Sequence, residues 1–235
     1  MFWALVILKM LSMIVNALDT NPIYDPCSDT KIQKSDGFTF GLAFSSKESF
    51  FFNDTQLSPC DQRLALSSSN AQLAVFRPMI DEISLLTINR STFSPEKHGG
   101  YMVAFAGRKY AARSLPIFVA DATHIVNSFT LVLEFQKGTL QNLFWKKEGC
   151  DSCSGKSPFV CLNQEDCAIP ISSCTTQEGG SMDCNLGIQL AFSGIDKNNE
   201  VLNSWYEVKN LRQYSLYSLY SNIKDSLAGM YNPLF

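Results

Sequence analysis

The chain has 235 residues, 46% hydrophobic and only 17% charged, which excludes a disordered or low-complexity protein and leaves material for one large core or two small ones. Its net charge of -3 removes the electrostatic case for nucleic acid or an anionic membrane as partner.

Met1–Ala17 is almost wholly apolar and reads as a signal peptide, with Val15 and Ala17 small enough for a cleavage site after Ala17. Lys9 lies inside the run, which is too short and interrupted to span a bilayer well. No second long apolar stretch follows, so the expected fate is export, with no transmembrane span in the mature chain. Residues 18–36 are polar and turn-rich and read as an arm tied down by Cys27. From Gly37 the pattern has period two, the mark of a strand with one buried face: Phe38, Phe40, Leu42 and Phe44 alternate with small or polar residues. Further strands are expected at Gln72–Phe76, Ile83–Ile88, Tyr101–Ala106 and Ile117–Ala120, punctuated by Pro78, Gly99-Gly100, Gly107 and Pro116. Phe129, Leu131, Leu133 and Phe135 then form one arm of a hairpin, Lys137-Gly138 the turn, and Leu140–Trp145 the return.

Residues 150–184 break this pattern. Six of the eight cysteines fall there amid Ser, Gly, Asp and Gln, so covalent bridges must order the segment. Cys27 and Cys60 lie outside it and are expected to pair with each other. Cys150, Cys153, Cys161, Cys167, Cys174 and Cys184 are expected to pair among themselves, in any of fifteen ways. Leu186–Ser193 resumes the strand period, and a last strand is expected near Leu202–Val208. Leu216, Leu219, Tyr220, Ile223 and Leu227 fall at helical spacing and predict a helix over 214–228. The expected fold is mainly β: one antiparallel β-sandwich domain over 37–235 with a disulfide-rich excursion, between two neighbouring strands, and a C-terminal helix.

Little in the sequence points to catalysis. His98 and His124 sit in loop-like stretches without a nucleophile elbow or a zinc-ligand spacing, and no catalytic or metal-binding residue and no cofactor is assigned. Cys150 and Cys153 form a CxxC that reads as structural in an oxidising compartment. Glu134, Glu207, Asp121 and Asp196 are the carboxylates on or beside strands that a glycoside hydrolase would need to pair across a cleft. Arg108, Lys109 and Arg113 read as a solvated basic face. A sugar ring offers apolar C–H faces that stack on aromatic rings, so Tyr101, Trp145, Trp205 and Tyr206 are the candidate ligand-binding residues. Asn53 and Asn89 open N-glycosylation sequons.

The segments Gln72–Pro78 (QLAVFRP), Gly99–Tyr110 (GGYMVAFAGRKY), Leu140–Lys147 (LQNLFWKK), Leu186–Gly194 (LGIQLAFSG) and Ser204–Val208 (SWYEV) resemble a family of plant secretory-pathway proteins, the expp-type precursors. The resemblance covers most of the mature chain and implies a plant, extracellular setting, the apoplast or cell wall; it implies no activity. The expected function is therefore a secreted, non-catalytic binding or structural module, with cell-wall polysaccharide or an extracellular protein as partner. The alternatives are a glycan-active hydrolase using paired carboxylates and a disulfide-rich interaction or inhibitor module.

Overall fold

The structure, a computed structural model, describes residues 19–64, 66, 70–90, 93–108, 112–146, 149–153, 155–174 and 183–206. The expected signal peptide and the expected helix at 214–228 lie outside the described residues. The strands in chain order are β1 (Phe40–Ser45), β2 (Phe51–Phe52), β3 (Thr55–Gln56), β4 (Gln72–Phe76), β5 (Ser84–Ile88), β6 (Tyr101–Ala106), β7 (Ala112–Arg113), β8 (Ile117–Phe118), β9 (His124–Ile125), β10 (Ser128–Gln136), β11 (Thr139–Lys146), β12 (Val160–Leu162), β13 (Asp166–Pro170), β14 (Leu186–Ile195) and β15 (Val201–Leu202).

Two five-stranded sheets carry the fold. One has the order β4-β1-β6-β7, with β8 also on β6; the other has the order β11-β10-β14-β15, with β5 also on β14. Their inner faces meet in one core. Phe40, Leu42 and Phe44 of β1 share it with Phe129, Leu131, Leu133 and Phe135 of β10 and with Leu186, Ile188, Leu190 and Phe192 of β14. Phe38 and Phe135 meet edge to face at 5.2 Å. These are the residues that the period-two pattern puts on one face.

The outer face of β1 is not wet, and here the structure adds to the sequence pattern. Ala43, Val103 and Phe105 are covered by Phe50, Leu64 and Leu66 from the segment that follows β1, and the disulfide Cys27–Cys60 packs beside them. The N-terminal arm is held by much more than Cys27. The Arg77 guanidinium donates to Asp19 at 2.6 Å, to Thr39 Oγ1 at 2.9 Å and to the carbonyl oxygens of Asn21 and Ile23, and lies 4.0 Å from the Tyr24 ring centroid. Buried Asp36 accepts from the Thr20 and Gln33 amides.

The ladders are antiparallel except that between β10 and β14, which is parallel from Ser128↔Gly187 to Phe135↔Gly194. A parallel pair needs a long crossover, and the cysteine-rich segment supplies it. The segment thus joins β11 to β14, which flank β10 on opposite sides, and not two neighbouring strands. Its disulfides are Cys150–Cys161, Cys153–Cys167 and Cys174–Cys184, so the six cysteines do pair among themselves. Cys161 and Cys167 stand opposite each other on β12 and β13, yet each bonds a cysteine of the CxxC, which fastens that motif to both strands. The sheet β12-β13-β9 ties this module to the sandwich.

The last expected strand is a correction. β15 ends at Leu202, and Ser204–Tyr206 form a 3-10 turn. Asp81 Oδ1 accepts from the amides of Asn203 and Ser204, and Ser204 Oγ accepts the Phe192 amide, so these groups leave the strand ladder. Trp205 and Tyr206 therefore do not take opposite faces of a sheet; their rings touch, with centroids 4.1 Å apart.

Candidate functional site

A groove of about 860 Å³ runs where the edge of the first sheet meets the edge of the second. Tyr101 opens β6 and Phe118 closes β8; they are cross-strand partners whose rings meet edge to face at 5.9 Å. Phe144 and Trp145 come from β11 on the other side. Trp145 is half-buried, set against Phe129 at 5.8 Å, and its buried Nε1 has no hydrogen-bond partner. Phe144 is 39% exposed. Beside these rings stand the side-chain amides of Gln56, Asn142 and Asn163 and the charges of Lys47, Arg113, Glu165 and Asp166.

Local folding explains how these groups are held. Gln56 Nε2 donates to the Ser114 carbonyl at 2.6 Å, and Arg113 Nε donates to the Gln56 carbonyl at 3.0 Å, so β3 and β7 fix each other at one end of the groove. Asn163 and Glu165 belong to the turn between β12 and β13, with Asn163 and Gln164 at positive φ, and Asp166 opens β13. Cys150–Cys161 and Cys153–Cys167 fasten this turn, so the cysteine-rich module forms a stiff wall of the groove.

Of the four candidate rings, Tyr101 and Trp145 are brought together here; Trp205 and Tyr206 are not. Trp205 packs over Val132 and Ala191 on the outer face of the second sheet. Phe118, Phe144 and the three amides were not singled out by sequence. Phe144 had no signal, because it adjoins Trp145 in a strand and so leaves from the opposite face; the amides had none either, since they meet the rings only through tertiary pairing.

Of the carboxylates flagged for paired-acid chemistry, the three among the described residues, Asp121, Glu134 and Asp196, do not line this groove. Asp196 is fully buried and accepts from the amides of Lys34, Asn198 and Glu200. Asp121 accepts from the Thr123 and His124 amides; burial raises its carboxyl, but these bonds hold it below 3.8. Glu134 is solvent-exposed, and Glu207 lies outside the described residues. The histidines are similarly occupied: His98 stacks on Phe93 at 5.4 Å and contacts the Asn70 carbonyl, and His124 contacts Thr123 Oγ1. Among the described residues no group of three or more His, Cys, Asp or Glu side chains could hold a metal ion, and no helix is long and apolar enough to cross a membrane.

The model of one family, described as Uncharacterised protein DDB_G0273449, matches residues 1–125 and 113–228. No curated protein and no solved structure matches the chain.

Proposed function

The chain belongs to the family described as Uncharacterised protein DDB_G0273449, and we propose that it is an exported, non-catalytic binding module whose groove takes a cell-wall glycan. One observation carries the reading: Tyr101 and Trp145, far apart in sequence, line one groove together with Phe118, Phe144 and three side-chain amides. Rings supply apolar faces for pyranose C–H groups, and amides both donate to and accept from hydroxyls. Glu165 and Asp166 are adjacent on a single wall, whereas glycoside hydrolysis needs acids on both sides of the bond. That favours binding over turnover.

Export is supported by the cysteines. All eight are paired, the usage of extracellular proteins. The apolar Met1–Ala17 run and the sequons at Asn53 and Asn89 agree with passage through the secretory pathway. The apoplast or cell wall as the workplace is part of the same proposal, drawn from the expected segment resemblance to plant expp-type precursors.

Affinity electrophoresis through gels containing a β-glucan, a xylan or a galacturonan tests the proposal. Retarded migration in at least one gel, lost in Phe144→Ala, is expected. Unchanged migration in all of them overturns the glycan reading and leaves an extracellular protein as the ligand class for the groove.

A further inference from the structure

We propose that Asn53 carries an N-linked glycan whose first N-acetylglucosamine stacks on the exposed ring of Phe52, making the sugar a working part of the fold. Strands β2 and β3 form a ribbon joined by the two residues Asn53 and Asp54. Both have positive φ, 46° and 63°, the signature of the tight hairpin turn that matches strand twist. Phe52 and Thr55 are direct cross-strand partners, so their side chains stand on the same face of the ribbon.

The two faces of this ribbon differ. Phe51 packs on the outer hydrophobic cluster and Gln56 is anchored to the Ser114 carbonyl, so one face is held by the protein. On the other, Phe52 is 44% exposed, and Asn53, Asp54 and Thr55 are exposed with it. The Arg63 guanidinium stands 5.9 Å from the Phe52 ring centroid. The turn alone explains an Asn at position 53. It explains neither a threonine two residues on, which completes the sequon, nor a large exposed ring beside the acceptor. A first sugar on Asn53 accounts for both. Its apolar C–H face lies on Phe52, and its acetamido group meets Thr55. Asn89 is exposed too but offers no such setting: Ile88, not an aromatic ring, precedes it, and the Arg90 side chain that follows is 7% exposed and paired with Glu96.

The modification balances as an ordinary transfer. Asn53 Nδ2 bonds to C1 of the terminal N-acetylglucosamine of a lipid-diphosphate-linked oligosaccharide. The bond from C1 to the diphosphate oxygen breaks, the lipid diphosphate leaves with the electron pair, and one amide proton is lost to base. The inference rests on the export reading but not on the groove's ligand.

To separate the two, residues 1–17 are replaced by a heterologous leader and the protein is secreted from a eukaryotic host. Intact-mass and peptide analysis should find a glycan on Asn53 that is absent from Thr55→Ala. Trimming to one residual sugar should leave the melting temperature about 2–4 °C above that of the fully deglycosylated protein. In Phe52→Ser, which opens no cavity because the ring is exposed, the glycan should remain and this difference should vanish. An unmodified Asn53 peptide in the secreted protein, or an equal temperature difference in both backgrounds, would overturn the proposal.

Discussion

Single residues carry two different burdens in this protein, latching the arm and shaping the groove. The arm depends on Asp19. Burial raises its carboxyl, but bonds from Arg77 and from the amides of Asn21 and Gly37 outweigh that and hold it below 3.8. A depressed carboxylate stabilises the fold above its unfolded pKa and loses that contribution as pH falls through the folded value. Melting temperature should therefore drop as pH falls below about 4, and Asp19→Asn should lower it at neutral pH while flattening that acid slope. The size should stay near 1 kcal/mol or less, because the pair is partly solvated. Asp61, held near 2 chiefly by its side-chain hydrogen bond from Arg63, pairs with an exposed guanidinium and serves as the comparison that should change little when replaced. Gly194 offers a test of backbone geometry. Its φ is 95°, and a Cβ there would run into the Phe135 carbonyl. Gly194→Ala should cost roughly 1–3 kcal/mol in urea melts. Gly187→Ala on the same strand, with no atom closer than 3.6 Å to the new carbon, should stay within about 0.5 kcal/mol.

At the scale of elements, the sequence pattern tells which face of a strand is buried but not which strand lies beside it. The hairpin β10–β11 was legible because Lys137-Gly138 fixes both turn and partner, and Lys137 and Gly138 do take positive φ. β4 and β6 were legible with their full extents for a similar local reason, since Pro78 and the Gly99-Gly100 and Gly107 breaks bound them. The parallel pairing of β10 with β14 was not, because alternation reads the same in either direction. Nor was the end of β15, where side-chain oxygens of Asp81 and Ser204 take over backbone amides from positions distant in sequence. The disulfides divide in the same way. That the cluster pairs internally followed from spacing, while the crossed attachment of Cys150 and Cys153 required the fold. Cys174 and Cys184 lie in the main core, whereas Cys150 and Cys161 are partly or largely solvent-facing. Each bridge should contribute about 2–4 kcal/mol by restricting the unfolded chain. Replacing Cys174 and Cys184 by Ser should cost more than replacing Cys150 and Cys161, because it also buries two hydroxyls in apolar surroundings. Denaturant melts of the two double variants check the order. Loss of Cys150–Cys161 should instead show itself in the groove, by loosening the wall that carries Asn163 and Glu165.

The whole molecule joins two sheet edges and a disulfide-stapled module around one groove, and that junction is where the sequence said least. Tyr101 and Trp145 were legible as candidates by residue type alone, and Trp205 and Tyr206 were equally eligible by that criterion. Only the pairing of β6 with β8, and the placement of β11 against them, separates the first two from the second. A glycan held in this groove meets Tyr101 and Trp145, and not the Trp205–Tyr206 pair. Tyr101 and Trp145 are half-buried, so their removal would disturb packing as well as binding. Phe144 is the cleaner probe, because it is exposed and lines the same groove. The direct measurement is calorimetric titration of the secreted protein with the wall oligosaccharide it retains best, beside Phe144→Ala and Trp205→Ala. The affinity should change little with added salt, since the stacked surface is apolar. Phe144→Ala should lose at least about fivefold, near 1 kcal/mol, at unchanged melting temperature. Trp205→Ala should keep the wild-type affinity while losing stability. Wild-type affinity in Phe144→Ala, together with lost affinity in Trp205→Ala, would rule out the groove as the binding site.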